Sequence, residues 1–122
     1  MPTITLQISL REDGQELPGF PLNQTLSPTE FKGKMTITRP DAAATFTELP
    51  LQDIDTLRLL YVRADQDTTL RFNDQSDAGI PMTANSVLLL FDCNIPNTAT
   101  SKAAMENASG SNTEAVIVAG GV

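Results

Sequence analysis

Short alternating segments, turn residues about every 8 to 12 positions, and no helical pattern long enough to cross over a parallel sheet predict an all-β chain. The fold class expected is an antiparallel β-sandwich or jelly roll of about eight strands, with minimal helix. The 122 residues allow one core that buries roughly two-thirds of the unfolded surface, so a single sandwich domain over 1–122 is expected.

Thr3–Arg11 places Ile4, Leu6, Ile8 and Leu10 on one face and Thr5, Gln7 and Ser9 on the other, the period of a half-buried strand. Glu12-Asp13-Gly14 reads as a tight turn, because glycine takes positive φ without steric cost, and a hairpin can return through Gln15–Leu17. Pro18, Gly19 and Pro21 interrupt any ladder, since proline has no amide donor, and make Leu17–Leu26 an edge strand or an ordered loop. Ser27-Pro28-Thr29-Glu30 combines a cap, a first-turn proline and a third-position glutamate. One helical turn is expected there, ended by Gly33 and followed by a strand at Lys34–Arg39. Ala43–Leu49 is a further strand candidate, stopped by Pro50.

Leu57–Arg63 and Thr69–Asn73 flank a short polar turn at Ala64–Thr68, and Leu57–Asn73 therefore reads as a β-hairpin. Ile80-Pro81-Met82 opens another segment. Within Ser86–Cys93, the run Val87-Leu88-Leu89-Leu90-Phe91 is apolar on both faces, which predicts a central strand; turn residues bound it too closely for a buried helix. Lys102–Asn107 has some helical propensity, but the loop Ala108–Asn112 leading into the strand Glu114–Ala119 favours a closing hairpin. Leu59, Tyr61, Leu70, Phe72, Leu89 and Phe91 are expected in the core or in a seam between subunits.

The chain holds no histidine, which removes the commonest proton-transfer group, the usual zinc ligand sets and every serine-histidine triad. Cys93, the one cysteine, has no histidine to activate it and sits beside an apolar run, so a buried, inert thiol is expected. No glycine-rich phosphate loop or dinucleotide fingerprint occurs. Asp65-Gln66-Asp67 and Asp74-Gln75-Ser76-Asp77 could offer alternating oxygen ligands to calcium, but the glycine and distal glutamate of an EF-hand are missing, and solvated turns are the preferred reading. Asp53 and Asp55 read as a turn before a strand rather than a glycosidase pair. Arg58, Arg63 and Arg71 could pair with these aspartates at the surface. No catalytic, cofactor-binding or metal-binding residue is therefore assigned, and a non-enzymatic protein without cofactor is expected.

A net charge of -7 and only six aromatic side chains, one tyrosine and five phenylalanines without tryptophan, argue against nucleic acid and against sugar stacking. The longest apolar runs, Val87–Phe91 and Ala115–Ala119, are far below the roughly 20 residues of a spanning helix, and no signal-peptide pattern opens the chain. Synthesis in a cytoplasm, with no membrane partner, is the expectation.

The series Phe46-Thr47-Glu48-Leu49-Pro50-Leu51, Leu57–Asp65, Thr69–Asn73, Ile80-Pro81-Met82, Val87–Phe91 and Ala115–Gly120 resembles small virion proteins of tailed bacteriophages. The resemblance covers about the last two-thirds of the chain and rests on packing patterns, so it transfers no functional residue. It implies a compact β-sandwich in the virion, made in the host cytoplasm, most simply a capsid decoration or cement protein that stabilises the shell. The alternative it leaves open is a tail- or fibre-associated module that binds a receptor or carbohydrate. The partners implied are the chain itself, as a homo-oligomer with a trimer favoured, and the major capsid protein or other virion proteins. The proline-rich segment Leu17–Leu26 and the C-terminal strand Glu114–Val122 are the contact elements expected.

Overall fold

A computed structural model describes residues 2–72, 79–98 and 102–122. The alternation near the N-terminus builds an arm from β1 (Ile4–Ile8), β2 (Arg11–Glu12), β3 (Gln15–Glu16) and β4 (Leu22–Leu26). β1 and β4 pair antiparallel from Ile4 opposite Leu26 to Ile8 opposite Leu22, and β2 and β3 form a smaller ladder at the tip. Asp13 and Gly14 turn that tip with φ of 51° and 82°, the positive values that glycine and aspartate tolerate best.

The sandwich follows, with β5 (Glu30–Arg39), β6 (Thr47–Glu48), β7 (Thr56–Ala64), β8 (Thr68–Arg71), β9 (Ile80–Met82), β10 (Val87–Pro96), β11 (Ala104–Glu106) and β12 (Thr113–Gly121). One sheet has the order β10-β7-β12-β5 and the other β6-β11-β8-β9. Every pairing is antiparallel. Counted from one to eight in chain order, the sandwich strands run 1-8-3-6 and 2-7-4-5, the wrapped pair of Greek keys that defines a jelly roll. The sandwich thus occupies 30–121, and residues 2–26 stand outside it as the arm.

The core lies between the sheets. Leu60, Val62 and Ala64 of β7 and Ala115, Ile117 and Ala119 of β12 face Leu70 of β8, Met82 of β9 and Met105 of β11, while Leu49, Leu51 and Ile54 plug the end near the β6–β7 connection. Two buried asparagines close the ends of this core. Asn97, 2% exposed, donates from Nδ2 to the carbonyls of Leu51 (2.9 Å) and Ile54 (2.7 Å) and accepts at Oδ1 from the Ala103 amide (2.9 Å). Asn107 donates to the Arg39 and Ser111 carbonyls and accepts from Ser109. Each side chain satisfies backbone groups that a loop inside a core would otherwise leave orphaned.

Several local expectations are corrected. Ser27–Glu30 forms no helical turn, because Pro28 is buried and Thr29 Oγ1 donates to the Gly121 carbonyl, so both side chains anchor the arm root instead of capping a helix. β7 and β8 do not form a hairpin, and neither do β11 and β12; each pair crosses from one sheet to the other around a corner. Only Thr47–Glu48 of the Ala43–Leu49 candidate is strand, Ala44 taking a φ of 59° that breaks it. Residues 104–106 are strand, as the hairpin reading of this segment expected, but they pair with β6 and β8. β10 is an edge strand, not a central one, and β12 is hydrogen-bonded on both sides, so its backbone offers no edge to a partner.

Candidate functional site

The alternation that sends Leu60, Val62, Ala115, Ile117, Leu88 and Leu90 inward sends the residues between them outward. Cross-strand register arranges these as rows on the outside of the β10-β7-β12-β5 sheet. Tyr61 lies between Leu89 and Val118, Arg63 between Val87 and Val116, and Leu59 between Phe91 and Gly120. Val87 is 56% exposed and Leu89 36%, with Tyr61, Phe91, Val116 and Val118 half-buried. Among the described residues the Gly120 row is the most closely covered. A Cβ on Gly120 would lie 3.1 Å from Pro28 Cγ and 3.3 Å from Phe31 Cδ1, and Leu59 beside it is buried. The rest is a largely apolar surface, with exposed Arg63 and Thr36 in its Val87–Val116 row, on one face of a two-layer fold where alternation normally puts polar residues.

This reassigns the predicted core. Leu59 and Leu70 are buried and Phe72 packs against the core. Leu89 instead lies at the surface, and Tyr61 and Phe91 share its outward face. The run Val87–Phe91 is apolar on both sides because one side meets the core and the other forms this surface.

The opposite outer face differs in kind. Phe46, Glu48, Arg71, Lys102, Ala104 and Glu106 line a groove of about 490 Å³, in which the Arg71 guanidinium stacks over the Phe46 ring at 3.6 Å from its centroid.

The arm carries a second apolar face. Half-buried Ile4, Leu6 and Ile8 alternate with exposed Thr5 and Gln7, and Leu26, Gln24 and Leu22 stand across from Ile4, Leu6 and Ile8, so the face is apolar except at Gln24. Leu22 is 37% exposed and Leu10 48%. The extensive contacts of β1 and β4 are with each other, not with the sandwich. The tip is polar, with Ser9 donating to Glu16 at 2.6 Å and Arg11 bridging to Glu16 at 3.3 Å.

The aspartates and arginines singled out in the sequence serve the scaffold. Asp65 accepts from Thr113 Oγ1 at 2.7 Å and from the Glu114 amide at 2.9 Å. Those two bonds hold its carboxyl below the usual carboxylate range. Asp67 accepts from the Ala84 amide, which ties the β7–β8 corner to the loop before β10. Asp53 pairs with Lys32 at 2.7 Å, and the hydrogen bond from that lysine lowers its pKa. The Asp55 carbonyl receives the Asn97 amide. Arg58 pairs with Asp92 instead, and Arg63 reaches the Asn85 carbonyl. Asp74–Asp77 fall outside the described residues. Among the described residues no three acidic or cysteine side chains gather as a metal site. The Cys93 thiol is half-buried, donates to the Leu57 carbonyl at 3.3 Å, and has its pKa raised mainly by burial. No described helix is long and apolar enough to cross a membrane.

Sequence reading missed the face because it took two-sided apolarity as a sign of burial, and it missed the arm because alternation does not say what a strand packs on. A scan of protein-family models, a search of curated proteins and a search of solved structures each found no match to the chain.

Proposed function

We propose that the chain is a non-enzymatic structural module of a tailed-bacteriophage virion, and specifically a capsid decoration or cement protein that stabilises the shell. The observation that carries the reading is the pair of apolar surfaces left exposed or half-covered, one on the sheet exterior and one on the arm. Such surfaces are costly for a protein that works alone in water, and they are what an assembly subunit needs. The resemblance noted in the sequence supplies the setting. A symmetric homo-oligomer, most simply a trimer, seated on the major capsid protein is the arrangement proposed.

A second reading, a tail- or fibre-associated module that binds carbohydrate, draws on the groove around Phe46. It is weaker, because the Arg71 guanidinium already covers a face of the ring on which a sugar would stack. Quantitative mass spectrometry of purified particles separates the readings. Hundreds of copies per particle support a shell protein, about a dozen or fewer support a tail part, and absence from the particle overturns both.

A further inference from the structure

We infer that the arm of one copy docks its Ile4-Leu6-Ile8 face on the Leu89-Tyr61-Val118 face of a second copy, so that the chain assembles arm to sheet. This deepens the decoration reading and rests on it for its biological setting, but the contact itself is argued from the chain alone.

The two surfaces match in length. The β1–β4 ladder spans five residue pairs from Ile4 to Ile8, and the outward row of β10 runs five residues from Val87 to Phe91. At about 3.4 Å per residue both are roughly 17 Å long. They match in chemistry, since each presents aliphatic side chains that its own chain leaves exposed or half-covered. They also match in charge at the ends. The arm tip carries Glu12, Asp13 and Glu16 against Arg11 alone, while exposed Arg63 and Lys34 stand on the sheet side, with Glu114 and Asp65 at its rim.

The arm is tied closely at its root. Only 27–29 join β4 to β5. Pro28 is buried over Gly120, and Thr29 Oγ1 holds the Gly121 carbonyl at 3.2 Å. A two-stranded arm is marginal in water by itself, so a neighbouring copy that covers its apolar face also stabilises it. Because arm and sheet face are different surfaces, the contact is heterologous and makes a ring where the rotation closes. Each contact covers several hundred Å² per side at most, at the low end for protein interfaces, and dissociation in the micromolar range is expected.

The test uses the full chain and two single variants, Leu6→Asp in the arm and Leu89→Asp on the sheet, followed by light scattering from about 1 to 500 µM. The unaltered chain is expected to associate with rising concentration. Each variant is expected to stay monomeric with an unchanged circular dichroism spectrum. Mixed in equal amounts, the variants should form a 1:1 heterodimer and nothing larger, because one intact arm meets one intact face and the chain of contacts then ends. A mixture that stays monomeric, an unaltered chain that is monomeric throughout, or a Leu6→Asp variant that still self-associates overturns the inference. None of these outcomes touches the virion reading, which the particle copy number decides separately. Should either variant unfold, Thr5→Asp and Gln7→Asp on the polar arm face are the paired controls: loss of association in these overturns the assignment of the docking face, and retained association supports it.

Discussion

Replacing Asn97 by alanine removes two donated hydrogen bonds, to the Leu51 and Ile54 carbonyls, and one accepted from the Ala103 amide. At about 1 kcal/mol net for each bond, with a further penalty for any partner left buried and unpaired, the expected loss is about 3 to 5 kcal/mol. That is a large share of the roughly 5 to 15 kcal/mol that holds a domain together. With no tryptophan in the chain, urea unfolding is best followed by far-ultraviolet circular dichroism. Asn97→Asp sharpens the test, because it keeps the shape and turns the amide donor toward two carbonyl oxygens as a carboxyl. The neutral acid can still donate one bond, whereas the carboxylate is repelled, so the folded-state pKa rises above the unfolded value. Measured against Asn97→Ala, this variant should therefore be most stable at acid pH and lose that advantage as pH rises from the unfolded toward the folded value. An alanine loss below about 1 kcal/mol, or identical pH profiles for the two variants, would refute the claim that this amide staples the core.

Truncating Leu60, fully buried in β7, to alanine should cost about 2 to 5 kcal/mol, whereas Leu89→Ala at protein concentrations low enough for monomers should cost under about 1 kcal/mol; equal losses would contradict the assignment of faces. Gly121→Ala should destabilise by about 3 kcal/mol or more, since its Cβ would stand 1.9 Å from the Thr56 carbonyl oxygen and 2.8 Å from Ile54 Cγ2; a melting temperature within a degree or two of the original would show that this backbone can give way. Asp65 is held below its ordinary pKa of 3.8 by Thr113 and Glu114, so its contribution is present above that value and lost as pH falls through the folded pKa. The stability gap between the unaltered chain and Asp65→Asn should narrow from pH 7 to pH 3, and a gap that stays constant would remove the carboxylate from the account.

The all-β class was legible because side-chain period is a local property, and Thr3–Arg11, Lys34–Arg39 and Glu114–Ala119 show it directly. Pairing partners were not. The stretch between Leu57 and Asn73 has the outline of a hairpin, yet Asp65 and Asp67 spend their oxygens on Thr113, Glu114 and Ala84 and so hold a corner that separates β7 from β8. That choice is made by contacts 17 to 49 residues away, which no short window contains. The same limit explains Pro28. Its place beside serine and glutamate matches a helix start, and only its packing over Gly120 shows it to be an anchor. As for the candidate surface, Leu89, Tyr61 and Phe91 were singled out as apolar residues of core or seam, but the sequence contains nothing that distinguishes the two faces of a sheet whose residues are apolar on both.

The irregularities in the outer strands of the sandwich have a consequence for how the protein goes wrong. β10 loses register between Phe91 and Ile95, where Asp92 takes a φ of 57°, and β5 loses register against β12 between Met35 and Lys32. In the other sheet, β9 carries Pro81 and β6 is two residues long. None of these four borders presents a straight, uninterrupted line of amides and carbonyls that another chain could extend. Ribbon-like growth through the sandwich borders, open to many sandwiches, is accordingly closed to this one, and strand addition in overconcentrated protein should start instead at the straight outer edges of the β1–β4 arm.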